Sequence, residues 1–269
     1  MSDSPPGHPE IERIVAPNPG PMTLDGTNTY VVAVGDGDGA FVIDPGPADE
    51  AHAAAVRAAA EARGGIEGVL LTHSHADHSA GVSLLGEAPL RWGDVGHSDE
   101  TSGESGAARK DQGWPRPRGR VGPFEVIPTP GHAVDHVCFA RDGVLFSGDL
   151  ILGRGSSFVP PDGGSLAAYL ESLRTILDRD DDLLCPGHGP YVPNPRAKVS
   201  EYLEHRLDRE RRLLAALADG ERSRERLLAL VWDDVAPGLR PAAALVMEAH
   251  LEKLDAEGRL PGDLEGAGH

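Results

Sequence analysis

Thr72-His73-Ser74-His75-Ala76-Asp77-His78 follows immediately on the apolar run Val69-Leu70-Leu71. That run reads as a short buried strand, so the polar cluster falls at a strand's C-terminal end, where α/β proteins commonly place their sites. Four groups able to bind a metal stand at His73, His75, Asp77 and His78. Core filling does not explain them, because each buried imidazole or carboxylate needs a polar partner. An extended turn lets His73 and His75 point the same way. Asp77 and His78 open the next helix and can face a second cation. The spacing suits two cations a few ångströms apart better than one.

Three later segments supply further ligands. Thr129-Pro130-Gly131-His132 and Pro186-Gly187-His188 each end an apolar run on a histidine, and Ser147-Gly148-Asp149 ends one on a carboxylate. Each sits beside a glycine, which lets the backbone turn sharply and approach a metal. Histidine and carboxylate donors suit zinc, with manganese and iron also compatible.

Around these segments, short β-like runs alternate with glycine- and proline-rich turns up to about Pro195, and the rest reads as helical. Strands are expected at residues 29–34, 41–43, 69–72, 124–129, 137–140, 144–147 and 183–185. Helices are expected at residues 48–63, stopped by Gly64-Gly65, and at 165–179, with Leu166, Leu170, Leu173 and Leu177 on one face. Strands set among helices in this way predict an α/β layered fold, with a catalytic domain over residues 1–195 and a helical domain and tail over 196–269. Residues 93–122 read as one long loop carrying Arg109, Lys110, Arg116, Arg118 and Arg120. It is either a solvated surface loop or a basic flap that grips an anionic substrate.

The chain has 269 residues, enough for a full core. Its net charge of −18 argues against bulk attraction to nucleic acid or to an anionic membrane surface. No apolar run approaches the ~20 residues that span a bilayer. Residues 1–10 lack the basic start and apolar stretch of a secretory signal, so a cytoplasmic location is expected. Cys138 and Cys185 sit in apolar runs and read as reduced core residues.

The ligand pattern resembles the metallo-β-lactamase superfamily. The resemblance implies a four-layer αβ/βα sandwich with His73, His75 and His132 on one metal, Asp77, His78 and His188 on the second, and Asp149 bridging. Asp77 would also orient the attacking water. Asp44, in the strand-end Asp44-Pro45-Gly46, matches a position that supports the ligand loop, or is a plain turn residue. Two cations sharing a water lower its pKa from about 15.7 towards about 7, which implies hydrolysis. Oxidoreductase relatives usually place a carboxylate where His75 stands. True β-lactamases generally lack the bridging aspartate and are exported.

A narrower resemblance rests on Asn18-Pro19-Gly20, residues 24–30 (Leu-Asp-Gly-Thr-Asn-Thr-Tyr), Gly131-His132-Ala133-Val134-Asp135-His136, residues 146–153 and 185–190, and the C-terminal His205-Arg206 and His250-Leu251-Glu252-Lys253-Leu254. These are similar to the β-lactamase-like protein 2 group, which includes single-strand RNA endonucleases. The resemblance therefore implies a phosphodiesterase acting on single-stranded RNA. The same centre serves a thioester or carboxylic ester hydrolase of glyoxalase II-like or acyl-CoA type acting on a small molecule. A non-catalytic metal-binding module is the third reading. His136 is expected near the cavity as a catalytic proton donor or as a supporting residue. The C-terminal region resembles a small winged-helix-like domain with helices near residues 196–219, 223–233 and 241–258. From Ser200 onward it carries ten Arg and Lys against fifteen Asp and Glu, and its third helix has almost no donors for base edges. It is expected to be a packing module or one wall of the cleft rather than to enter double-stranded DNA.

Overall fold

The computed structural model describes residues 2–35, 37–86 and 119–264. Two five-stranded sheets form the centre. The first contains β1 (Ser2–Asp3), β2 (Ile11–Val15), β3 (Asn28–Ala33), β4 (Ala40–Ile43) and β5 (Ile66–Leu70), in that spatial order. The second runs in the order β10-β9-β8-β7-β6, from β6 (Gly119–Val121), β7 (Phe124–Pro128), β8 (Val137–Arg141), β9 (Val144–Gly148) and β10 (Leu183–Pro186). Each sheet is antiparallel except for one parallel pair, β4 with β5 and β9 with β10.

Burial explains the layering. Tyr30, Phe41, Ile43 and Leu70 of the first sheet meet Phe124, Val126, Phe139 and Phe146 of the second in one apolar cluster. The opposite face of the first sheet, through Val31, Val42 and Val69, is covered by Ala53, Val56 and Ala60 of helix α1 (Glu50–Glu61). The outer face of the second sheet takes Leu166, Leu170 and Leu173 of α3 (Leu166–Leu177) and Val199 and Tyr202 of α4 (Pro195–Ala218). Central strands buried on both faces read as continuous apolar runs rather than alternating ones. The result is the α/β/β/α sandwich expected from the sequence.

Helix ends follow their local chemistry. The Asp49 side chain accepts from the His52 N–H at 2.7 Å, and the Ser165 hydroxyl accepts from Ala168 N–H at 3.3 Å. Such N-caps stabilise a helix by about 1 kcal/mol each. A turn of helix, α2 (Ala76–Ser79), carries Asp77 and His78 as the spacing predicted.

Beyond the sandwich, α4 continues to pack with α5 (Arg224–Val231) and α6 (Arg240–Ala256) through Leu213, Leu217, Leu227, Met247 and Leu251. These helices agree with the predicted ones to within about two residues. No strand occurs among the described residues after Pro195, so the helices of the expected winged-helix-like unit stand without a wing. One difference lies in the stretch read as loop: residues 119–121 pair with β7 as an edge strand, with Val121 buried and Arg120 exposed. Three residues are too few to display an alternation. Arg109, Lys110, Arg116 and Arg118 fall outside the described residues. Both cysteines are free and buried, and among the described residues no helix is long and apolar enough to cross a membrane.

Candidate metal centre

Strand ends assemble the site. His73 follows β5, His132 follows β7, Asp149 follows β9 and His188 follows β10, all at the same edge of the two sheets. Asp44, at the end of β4, sits behind them, buried and in the left-handed region at φ 50°. The glycines admit this crowding. A Cβ on Gly187 would lie 2.6 Å from Asp149 Oδ1 and 2.7 Å from His78 Cε1, and one on Gly148 would lie 2.5 Å from Thr72 Oγ1.

The seven predicted ligands come together in overlapping groups: His73, His75 and His132; His73, His78 and Asp149; and Asp77, His78 and His188. Within each group the donor atoms lie within 4.8 Å of one another. His75 Nδ1 is 3.0 Å from His73 Nε2 and 3.0 Å from His132 Nε2. His78 Nε2 is 3.3 Å from His188 Nε2, and Asp77 Oδ2 lies 3.4 Å from the latter. Asp149 spans both groups, with Oδ1 3.5 Å from His78 Nε2 and Oδ2 3.6 Å from His132 Nε2.

Hydrogen bonds behind the rings assign the tautomers. The Thr72 hydroxyl donates to Asp44 Oδ2 at 2.7 Å, so it accepts from His73 Nδ1–H at 3.0 Å. His78 Nδ1–H donates to the same Asp44 oxygen, His132 Nδ1–H to the Phe158 carbonyl, and His188 Nδ1–H to the Gly26 carbonyl. In its neutral form each of these four rings therefore turns a bare Nε2 lone pair inward. His78 and His188 then meet acceptor to acceptor at 3.3 Å. His75 Nδ1, even with a proton on it, can donate to only one of His73 and His132. Such acceptors repel unless a proton or a cation lies among them. Asp149 Oδ1 is buried without a hydrogen-bond partner among the described residues, a second sign of the same need. The donor set fits two divalent cations.

The electrostatics agree. Burial pushes Asp149 up, but His78 and His188 outweigh it and hold the carboxyl well below its usual range. Burial likewise pushes His188 down, while Asp149 and Asp77 raise it to about 9. Both shifts say that the carboxylates draw positive charge to this spot.

His136 lies apart from the open side of the site. Its Nε2 accepts from the Asp149 backbone N–H at 3.1 Å and its Nδ1–H donates to Thr129 Oγ1 at 2.9 Å. It is buried, and burial foremost, with His132 next, pushes it down to about 3. A neutral ring with both nitrogens engaged has no proton to give a substrate. Thr72, Thr29 and His52 received no role from the sequence. Thr29 donates to the Asp44 carbonyl at 2.6 Å and accepts from His52 Nε2–H at 2.8 Å, fixing the turn that carries Asp44.

The centre opens into a cavity of about 680 Å³. His75, Asp77, His132, Asp149 and His188 form its floor, and the C-terminal helices provide the far wall through Arg206, Trp232 and Val246.

Comparison with known proteins places this geometry in context. Residues 22–89 and 116–188 match the sequence model described as the metallo-beta-lactamase superfamily. The chain is 35% identical to the beta-lactamase-like protein 2 homolog of Drosophila melanogaster, over 93% of this chain and 89% of that protein. It is 34% identical to a protein of Aspergillus chevalieri named atrochrysone carboxyl ACP thioesterase, over 78% of this chain and 67% of that protein. In fold it is similar to the crystal structure of a beta-lactamase domain protein from Burkholderia ambifaria, with a TM-score of 0.73 and 22% identity over 97% of this chain and 89% of that one.

Proposed function

This chain belongs to the metallo-beta-lactamase superfamily, and on that premise we propose that it hydrolyses small acyl thioesters at a two-cation centre. The cavity carries the reading. Met22, Leu24, Leu152, Phe158, Trp232 and Val246 give it apolar walls directly over the candidate ligands. An acyl chain gains about 0.8 kcal/mol for each methylene that enters such a space. Single-stranded RNA stood first on the sequence. Its support was the resemblance to the β-lactamase-like protein 2 group together with the basic stretch. Of that stretch Arg120, the part that is described, is an exposed edge-strand residue donating to the Pro123 carbonyl. Similarity to a protein named a thioesterase adds weight to the thioester.

His73, His75 and His132 would hold one cation, Asp77, His78 and His188 the other, with Asp149 between them. Bound there, two divalent cations supply the Lewis acidity that makes water a nucleophile at neutral pH. The side chain of Asp77 is 31% exposed and faces the cavity, so it is the carboxylate able to take the proton from the incoming water. Water adds to the thioester carbonyl carbon, the C–S bond breaks, and the sulfur leaves with that proton. The products are a carboxylic acid and a thiol. Asp44, Thr72 and the Phe158 and Gly26 carbonyls keep the imidazoles aimed, and His136 holds the Asp149 backbone.

The test is thiol release from acyl-N-acetylcysteamine thioesters by the metal-loaded protein, beside cleavage of a labelled single-stranded RNA, with Asp77→Asn as the control. Thiol release that Asp77→Asn abolishes, with RNA left intact, is the expected result. RNA cleavage without thiol release overturns the reading.

A further inference from the structure

The helical wall of the cavity holds a charge that the hydrolytic chemistry does not use. Arg206, on α4, is 2% exposed and lines the cavity with Phe158, Trp232 and Val246. Its Nη2 donates to Ser156 Oγ at 3.0 Å and to the Ser157 carbonyl. Its Nε is buried and has no hydrogen-bond partner among the described residues. Below it lies the ring of Tyr169, 5.5 Å from the guanidinium carbon.

What Arg206 lacks is a carboxylate. The other arginine on this wall, Arg209, is paired with both oxygens of Asp234 at 2.7 and 2.8 Å, and nearby Glu210 is taken by Lys253 and Arg259. Among the described residues Arg206 makes no ion pair, and its two hydrogen bonds are to neutral oxygens. Arginine stays charged at any physiological pH. A buried charge without a counter-charge is costly, and packing alone would be served by an apolar residue of the same length. The cavity that the residue borders can supply the anion that the described residues do not.

We propose that Arg206 is a specificity residue, and that the substrate's acyl group carries a carboxylate that pairs with it while the apolar walls hold the chain between. This rests on the thioester reading of the metal centre and adds the acyl class to it. A phosphate on the thiol carrier offers the same anionic chemistry. The acyl carboxylate is favoured because, of the three arginines that line the cavity, Arg209 and Arg154 are paired with Asp234 and Asp25 among the described residues, which leaves Arg206 to match one planar monoanion.

The experiment uses the metal-loaded protein and N-acetylcysteamine thioesters, which carry no phosphate. Acyl groups from succinyl to suberyl, ending in carboxylate, are each paired with the methyl-ended acyl group of equal length. At the best length the native protein is expected to favour the carboxylate by about 10-fold or more in kcat/KM. In Arg206→Met that preference disappears, chiefly through a higher KM, and in Arg206→Lys part of it survives. Circular dichroism and metal content report whether each variant folds. The native selectivity needs no variant, so it decides the matter even if Arg206→Met does not fold. Equal rates on both members of every pair, or a preference for methyl-ended chains, would overturn the proposal while leaving the thioester reading intact. So would a preference for coenzyme A thioesters over N-acetylcysteamine ones that Arg206→Met removes, which would assign the residue to a carrier phosphate. No hydrolysis of any thioester would sink the thioester reading instead.

Discussion

Asp44 Oδ2 lies 2.9 Å from His78 Nδ1, and that one oxygen also takes the Thr72 hydroxyl. Asp44 thereby sets rings in both halves of the site: His78 directly, and His73 through Thr72. Its other oxygen accepts the Thr72 N–H at 2.8 Å. A carboxylate offers only acceptors here, and all three neighbours are donors to it.

Asp44→Asn therefore presents an amide NH₂ to a donor. It is expected to weaken metal affinity by about 10- to 100-fold, the usual cost of losing an outer partner of a metal-bound histidine. Metal titration followed by calorimetry measures this. Unchanged affinity would mean that Asp44 is only a turn residue.

Gly187 has no room for a methyl, since its Cβ would lie 2.6 Å from Asp149 Oδ1. Gly187→Ala is predicted to lower kcat about 100-fold by displacing the ligands by a fraction of an ångström. Gly258→Ala, away from the cavity, is the control, with nothing within 4 Å of the added carbon among the described residues. There the strain of its φ of 67° should cost about 1 kcal/mol of stability and little activity.

His250 gives a pH prediction. It is fully buried, neither ring nitrogen has a hydrogen-bond partner among the described residues, and burial, with Arg206 next, pushes its pKa down to about 3. Lys253, His205 and Arg209 add positive charge around it, and Trp232 packs on the ring at 5.7 Å. The unfolded chain protonates this group near pH 6.5 and the folded chain does not. Its contribution is fully present above about pH 6.5 and declines as pH falls from there towards about 3. Thermal melts between about pH 7.5 and about pH 5 should show native stability falling more steeply than that of His250→Leu. Parallel curves would contradict this.

The sequence made the site legible where chemistry is local. The cluster at residues 72–78 and the glycine-flanked His132, Asp149 and His188 were readable because ligand and strand end are neighbours in the chain. Helices were readable from the Gly64-Gly65 stop and from the spacing of Leu166, Leu170, Leu173 and Leu177. The support network was not, since Asp44 and Thr72 are 28 residues apart and meet only once β4 and β5 pair. Strands β1 and β6 were missed because two or three residues carry no period, and β2 because Glu12 and Arg13 interrupt its apolar run. Arg206 was marked only as part of the family resemblance, with no sign of its burial: one arginine in a charged helix looks exposed until the helix is packed.

The central claim is that two cations sit among these rings. Elemental analysis of the purified protein measures it directly, alongside His132→Ala and His188→Ala, each of which removes a ligand from one group. The account predicts about two divalent ions per native chain and about one in each variant. A native chain that binds none under zinc, manganese and iron supplementation, or that holds one ion lost equally in both variants, would contradict it.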